Sequence, residues 1–165
     1  MKKIIKIYTD GSHLKRTTGR IGCGGLMCDV SGGGLGKELD HFSVELTKEY
    51  LLSEFGTADV SNPTAEMVGA LEALRRFNIP SDTDEIIMLQ DYLGVMSWNT
   101  GTWKIKAPYI RKIKSDIDRE IKRKGLSGKI SWQWVKAHQG KSVLDPDAIR
   151  NNQADKLAKG EDYGN

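Results

Sequence analysis

The chain has 165 residues, the size of one domain, and a chain of that length buries roughly 70% of its unfolded surface without a disulfide or metal staple. Hydrophobic residues make up 38% and charged residues 28%, with a mean hydropathy of −0.47, which excludes an integral membrane protein and wholesale disorder. The net charge of +3 is too mild to mark a nucleic-acid binder by total charge, so placement of the charge has to decide.

The chain opens Met-Lys-Lys-Ile-Ile-Lys-Ile, basic and then briefly apolar; Lys6 interrupts the run before it reaches the length of a signal sequence, so a cytoplasmic location is expected. Ile4 to Thr9 reads as a β-branched strand ending in a turn at Asp10-Gly11-Ser12. Ile21 to Val30 and Leu35 to Leu46 read as second and third strands around the break Ser31-Gly32-Gly33-Gly34, the pattern of antiparallel hairpins. Cys23 and Cys28 stand five apart on the second strand, an odd offset that puts them on opposite faces, so free thiols in a reducing compartment are expected. Residues 47–61 fit a helical turn or a strand end equally well.

Asn62 then reads as an N-cap with Pro63 at the first helical position, and Met67, Ala70, Leu71 and Leu74 give one apolar helix face. Ile86-Ile87-Met88-Leu89 is a strand covered on both faces, closed by Asp91, with a short helical piece over Tyr92 to Trp98. Ile110, Ile113, Ile117 and Ile121 line a helix from Pro108 to Gly125, Lys129 to Val135 alternates as a strand, and Asp145-Pro146 starts a last helix that Gly160 stops. Three antiparallel strands followed by helix-separated strands imply an α/β fold: a single domain, residues 1–165, with a mixed five-stranded sheet and helices packed on it.

Four acidic residues hold special places. Asp10 and Asp91 end apolar strands, where open α/β sheets place ligands; Glu66 stands in a first helical turn, which favours its ionised form, and Asp155 in the last helix. Each alone reads as well as a turn residue or a surface charge. Their shared context decides. Ile-Tyr-Thr-Asp-Gly-Ser (7–12), Asn-Pro-Thr-Ala-Glu-Met (62–67), Leu-Gln-Asp-Tyr (89–92), Trp-Val-Lys-Ala-His-Gln-Gly (134–140) and Asn-Asn-Gln-Ala-Asp-Lys-Leu-Ala (151–158) resemble the successive motifs of type 1 ribonuclease H, in that family's order and over nearly the whole chain.

The resemblance implies the ribonuclease H-like fold, with three antiparallel strands, then two parallel ones, and helices on both faces. It also implies endonucleolytic cleavage of the RNA strand of an RNA–DNA hybrid, leaving a 3′-hydroxyl and a 5′-phosphate. Asp10, Glu66, Asp91 and Asp155 match the family's four metal-binding carboxylates, and His138 matches its mobile-loop histidine, associated with proton transfer or product release. The implied cofactor is Mg²⁺, two ions per site, with Mn²⁺ as a substitute; hard cations prefer such oxygen ligands. Without metal, four clustered carboxylates repel one another, so raised pKa values and stabilisation by metal are expected.

Hybrid recognition adds further candidates. The 2′-hydroxyl that distinguishes RNA is exposed in the shallow minor groove; the backbone N–H groups near Gly11 and Ser12 are candidate contacts, and the Asn62 side chain is either such a contact or only a cap. Residues 104–124 carry nine basic and three acidic side chains, among them Lys104, Lys106, Arg111 and Lys112, which is either a phosphate-backbone footprint or an ordinary solvated helix face. Trp132 and Trp134 read as core, Trp98 and Trp103 as groove or packing residues, and His13 and His41 as surface residues.

The sequence also departs from the family pattern. Tyr92 and Leu93 stand where Ser and Gln usually follow the third carboxylate, the segment before Asn62 is longer than usual, and Ser142 to Ile149 looks inserted after His138. The short stretch between Trp98 and Pro108 leaves no room for the family's extra basic helix, and Asp10 lies too near the start for an N-terminal hybrid-binding module. A compact monomer with no membrane contact is expected. Two alternatives stay open: a DNA-directed nuclease of the same superfamily, and a catalytically silent nucleic-acid-binding domain. Cleavage of hybrid but not duplex DNA excludes the first, and Mg²⁺-dependent turnover excludes the second.

Overall fold

A computed structural model describes residues 1–15, 17–136 and 144–163. Strands β1 (Ile4–His13), β2 (Ile21–Asp29), β3 (Lys37–Leu46), β4 (Glu85–Gln90) and β5 (Ile130–Trp134) form one sheet in the order β3-β2-β1-β4-β5. The β1–β2 and β2–β3 pairs are antiparallel, as the Gly-rich breaks between them suggest, whereas β4 runs parallel to both β1 and β5. Parallel neighbours need long crossovers, and helices supply them: α1 (Lys48–Phe55) and α2 (Asn62–Arg76) before β4, α3 (Leu93–Asn99) and α4 (Pro108–Arg123) before β5. Helix α5 (Pro146–Ala158) follows.

Alternation along the strands divides the buried side chains between two faces. Ile5, Ile7, Cys23, Ile86 and Met88 join Met67 and Leu71 of α2 and Ile113 and Ile117 of α4 in the larger cluster. Tyr8, Leu26, Cys28 and Leu89 pack with Ala154 and Leu157 of α5 on the other face. Helices therefore cover both faces, and the two cysteines are free and buried on opposite sides.

Several local readings are corrected. β1 does not turn at Asp10; it stays paired with β2 through Asp10↔Gly24, Ser12↔Gly22 and His13↔Ile21, because its antiparallel partner is long enough to carry it past its parallel ladder with β4. Part of 47–61 is the helix α1, with Thr47 accepting from the Tyr50 N–H and Gly56 closing it at φ 70°. The N-cap of α2 is Ser61, not Asn62. An Asp59-centred cluster explains the shift: Asp59 accepts from the Ser61 N–H at 2.8 Å and from Thr64 Oγ1 at 3.0 Å, which fixes the helix entry one residue earlier. The last helix, by contrast, begins where Asp145-Pro146 predicts, with Asp145 capping α5 by accepting from the Ala148 N–H, so the apparent insertion up to Ile149 runs into its first turn. Trp134 is 46% exposed at the end of edge strand β5, so it is not core, whereas Trp132 is half-buried against the larger cluster.

Candidate active site

Sheet topology brings three carboxylates together. The parallel β1–β4 ladder ends at Tyr8↔Leu89, so Asp10 and Asp91 both emerge just beyond it on adjacent strands. Glu66 descends from α2, and Gly11 is why it can: a Cβ there would lie 2.3 Å from Ala65 C and Glu66 N, so no larger residue admits the helix this close to β1. Gly24 does the same for α5, where a Cβ would lie 2.6 Å from Leu157 C. One ligand atom each from Asp10, Glu66 and Asp91 lie within 4.8 Å of one another. Asp155 of α5 lines the same cleft as these three and pairs with Lys159 Nζ at 3.0 Å. All four line one open cleft of about 400 Å³.

The electrostatics follow from burial. Asp10 and Glu66 are nearly inaccessible. Burial, then the neighbouring Glu66 carboxylate, pushes the Asp10 carboxyl well above the usual range. Burial pushes Glu66 up to about 8 against the opposing hydrogen bonds from Asp10 and the Gly11 N–H, with the Asp91 and Asp155 charges adding to the rise. The expected repulsion among the carboxylates is therefore present. The expectation that a helix N-terminus keeps Glu66 ionised is overturned: α2 starts at Asn62 with no acid in its first turn, so Glu66 lies in the next one, and burial dominates. The donors are all carboxylate oxygens, and Glu66 Oε2 is buried with no hydrogen-bond partner, an arrangement that fits a hard divalent cation.

Surrounding groups hold the carboxylates in place. Asn151 Nδ2 donates to Asp91 Oδ2 at 3.2 Å, and Trp134 Nε1 donates to the Asp91 carbonyl at 3.0 Å. Tyr92, in place of the family's usual serine, lines the cleft and packs edge-on against Trp98, which in turn meets Trp103.

The candidate substrate residues divide into two groups. Gly11, Ser12 and Asn62 line the cleft, but the Gly11 N–H donates to Asp10 Oδ1 at 2.9 Å, so it serves the carboxylate and is not available to a ligand. Asn62 Oδ1 accepts from the His13 N–H at 2.9 Å, which replaces its expected capping role. Lys104 and Lys106 are exposed on the connection between α3 and α4, which contains no further helix. Arg111 Nε donates to the Ile105 carbonyl, and Lys112 grips both oxygens of Asp116 at 2.7 Å; neither lines the cleft. The α4 start is nevertheless tied to the cleft end of α2, because Tyr109 Oη donates to Asp59 at 2.6 Å. His138 lies outside the described residues.

Two ionisable cleft residues escaped the sequence reading. His13, read as a surface residue, lines the cleft with its Nδ1 buried and unpartnered among the described residues; the signal was the continuation of β1 past Asp10. Lys159 lines the cleft as well, and its i,i+4 spacing from Asp155 was visible in the sequence.

Comparison with known proteins agrees with this geometry. Residues 2–162 match the family model described as RNase H. The chain is 30% identical to ribonuclease H of Campylobacter jejuni (strain 81-176) over 162 residues, covering 95% of this chain and 90% of that protein. Among solved structures, RNase H1 from Halobacterium salinarum NRC-1 superposes with TM-score 0.65 at 19% identity, covering 94% of this chain and 95% of the other. LC11-RNase H1, solved in complex with an RNA/DNA hybrid, gives TM-score 0.69 at 18% identity, covering 95% of each chain. With the fold, the carboxylate arrangement and these matches in agreement, the chain belongs to the ribonuclease H family, as a compact type 1 form in which α3 passes to α4 without an intervening helix.

Proposed function

We propose that this chain is an endonuclease that hydrolyses the RNA strand of RNA–DNA hybrids by two-metal-ion catalysis, leaving 3′-hydroxyl and 5′-phosphate ends. The observation that carries the reading is the convergence of Asp10, Glu66 and Asp91, joined by Asp155, in one open cleft. These four would hold divalent cations, Mg²⁺ or in its place Mn²⁺, which supply charge neutralisation for the phosphodiester and activation of water.

The chain's own residues account for orientation. Gly11 directs its N–H at one oxygen of Asp10 and Asn151 holds one oxygen of Asp91, which orients these two carboxylates in the cleft. Asn62 spends its carbonyl oxygen on β1 and keeps its Nδ2 donors beside the cleft, suited to the acceptors displayed in a minor groove, the 2′-hydroxyl among them. Ser12 presents a hydroxyl from the same wall. Lys104, Lys106, Arg111 and Lys112 supply positive charge for the phosphate backbone. His138 assists proton transfer or product release, a role that rests on the motif resemblance.

The enzyme acts as a cytoplasmic monomer; its two thiols are free and buried, and no described helix is long and apolar enough to cross a membrane. The test is a panel of end-labelled substrates with Mg²⁺ and with EDTA: hybrid, single-stranded RNA, double-stranded RNA and duplex DNA. Mg²⁺-dependent cutting of the RNA strand of the hybrid alone, with 5′-phosphate products, is expected. Cutting of duplex DNA would instead assign a DNA-directed nuclease, and hybrid binding without turnover a silent domain.

A further inference from the structure

Among the described residues Lys159 is the only permanently cationic side chain that lines the carboxylate cleft. Its Nζ lies 3.0 Å from Asp155 Oδ2, and Asp155 lines the cleft with Asp10, Glu66 and Asp91, so the ammonium adjoins the carboxylate cluster. A lysine that closes α5 has structural reasons to be there: it complements the helix C-terminus and sits four residues after an aspartate. Neither reason requires it to face the cleft.

We infer that Lys159 is a resident counter-ion that competes with divalent cations for Asp155 and thereby sets the metal concentration at which the site fills. The inference rests on the metal-binding reading of the four carboxylates. The ammonium neutralises part of the Asp155 charge that would attract a metal, so the two cations compete for one carboxylate. Both side chains of the pair keep about a quarter to a third of their surface exposed, 26% for Asp155 and 31% for Lys159. A pair that is open to water is held weakly enough to be displaced. The lysine thus screens the carboxylates while metal is scarce and yields when it is plentiful.

The test is a titration of the ion-free protein with Mg²⁺, read as the shift in melting temperature and by calorimetry, with no substrate present. Lys159→Gln is expected to bind Mg²⁺ about two- to fivefold more tightly than wild type, the factor set by loss of one partly exposed ion pair. Lys159→Arg, which retains the charge and the partner, is expected to bind at wild-type strength or more weakly. Lys156→Gln removes an equal charge next to Asp155 in sequence but outside the cleft lining, and is expected to change affinity less than about twofold. Lys159→Met replaces the glutamine variant if that variant does not fold. Unchanged or weaker metal binding by the neutral variant, or an equal gain in Lys156→Gln, would overturn the inference. A wild-type protein with no metal response would overturn the reading of the site itself and this inference with it.

Discussion

Asp10 and Glu66 occupy positions where an ionised carboxylate is costly without a cation. Glu66 is held at about 8, against an ordinary value of 4.5, and Asp10 is also raised well above its usual range. Between about pH 4.5 and 8 the folded chain therefore retains protons that the unfolded chain has released, so the metal-free protein loses stability as pH rises through that window. Asp59, whose carboxyl is lowered by hydrogen bonds from Tyr109, Ser61 and Thr64, acts in the opposite sense, but only as pH falls through the ordinary Asp range. A melting series from pH 5 to pH 8 in EDTA is expected to fall, and saturating Mg²⁺ is expected to flatten it; a rising metal-free series would contradict this electrostatic picture. In the same series Asp10→Asn is expected to be more stable than wild type at pH 8 without metal, by about 1–3 kcal/mol, because a buried charge has been removed. Gly11→Ala tests the close approach of α2 to β1. Its Cβ would press on backbone at 2.3 Å, and denaturant unfolding is expected to show a loss of about 1–3 kcal/mol or more.

At the scale of elements, α2 is the part that places Glu66, and both of its ends are anchored from elsewhere in the chain. Lys124, just past α4, donates its Nζ to the Leu74, Arg75 and Phe77 carbonyls at the C-terminal end of α2. Lys124→Met is expected to lower stability by about 1–2 kcal/mol in urea unfolding, since those carbonyls lose their partner. At the other end Asp59 joins Ser61 and Thr64 to Tyr109 of α4, and Tyr109→Phe is expected to cost about 1 kcal/mol. What the sequence displayed of these elements follows from periodicity. The Met67-Ala70-Leu71-Leu74 face of α2, the apolar run of β4 and the isoleucine stripe of α4 were all legible, because each is a local signal that tertiary contacts reinforce. The end of β1 was not, because its last residues are strand only through pairing with β2. Nor was α1, eight residues long and packed largely by Leu51 and Phe55. The choice of Ser61 over Asn62 as cap depended on Asp59, whose partners include a tyrosine fifty positions away. The four carboxylates were legible through motif order. His13 and Lys159 were not, since facing the cleft depends on register and helix rotation.

Over the whole molecule, charge is segregated. Residues 104–124 carry a local net charge of +6 within a chain of +3, so the remainder is net negative. The three acids of this segment are each paired within it, Lys112 on Asp116, Lys114 on Asp118 and Arg123 on Glu120, and the excess of +6 remains. Lys104 and Lys106 stand exposed ahead of them and leave the clearest phosphate footprint. Hybrid affinity is therefore expected to fall steeply with salt, and Lys104→Ala or Lys106→Ala should each reduce the slope of log affinity against log salt by about one; unchanged slopes in both would remove this segment from the interface. Whether the carboxylate cleft is a metal-dependent nuclease site is measured most directly by the single-turnover rate of RNA–DNA hybrid cleavage in Mg²⁺ for wild type and Asp91→Asn. Wild-type cleavage that EDTA abolishes, and a fall of at least ~10³-fold in a folded Asp91→Asn, are expected. Wild-type rates in Asp91→Asn, or cleavage that persists in EDTA, would contradict that reading of the cleft.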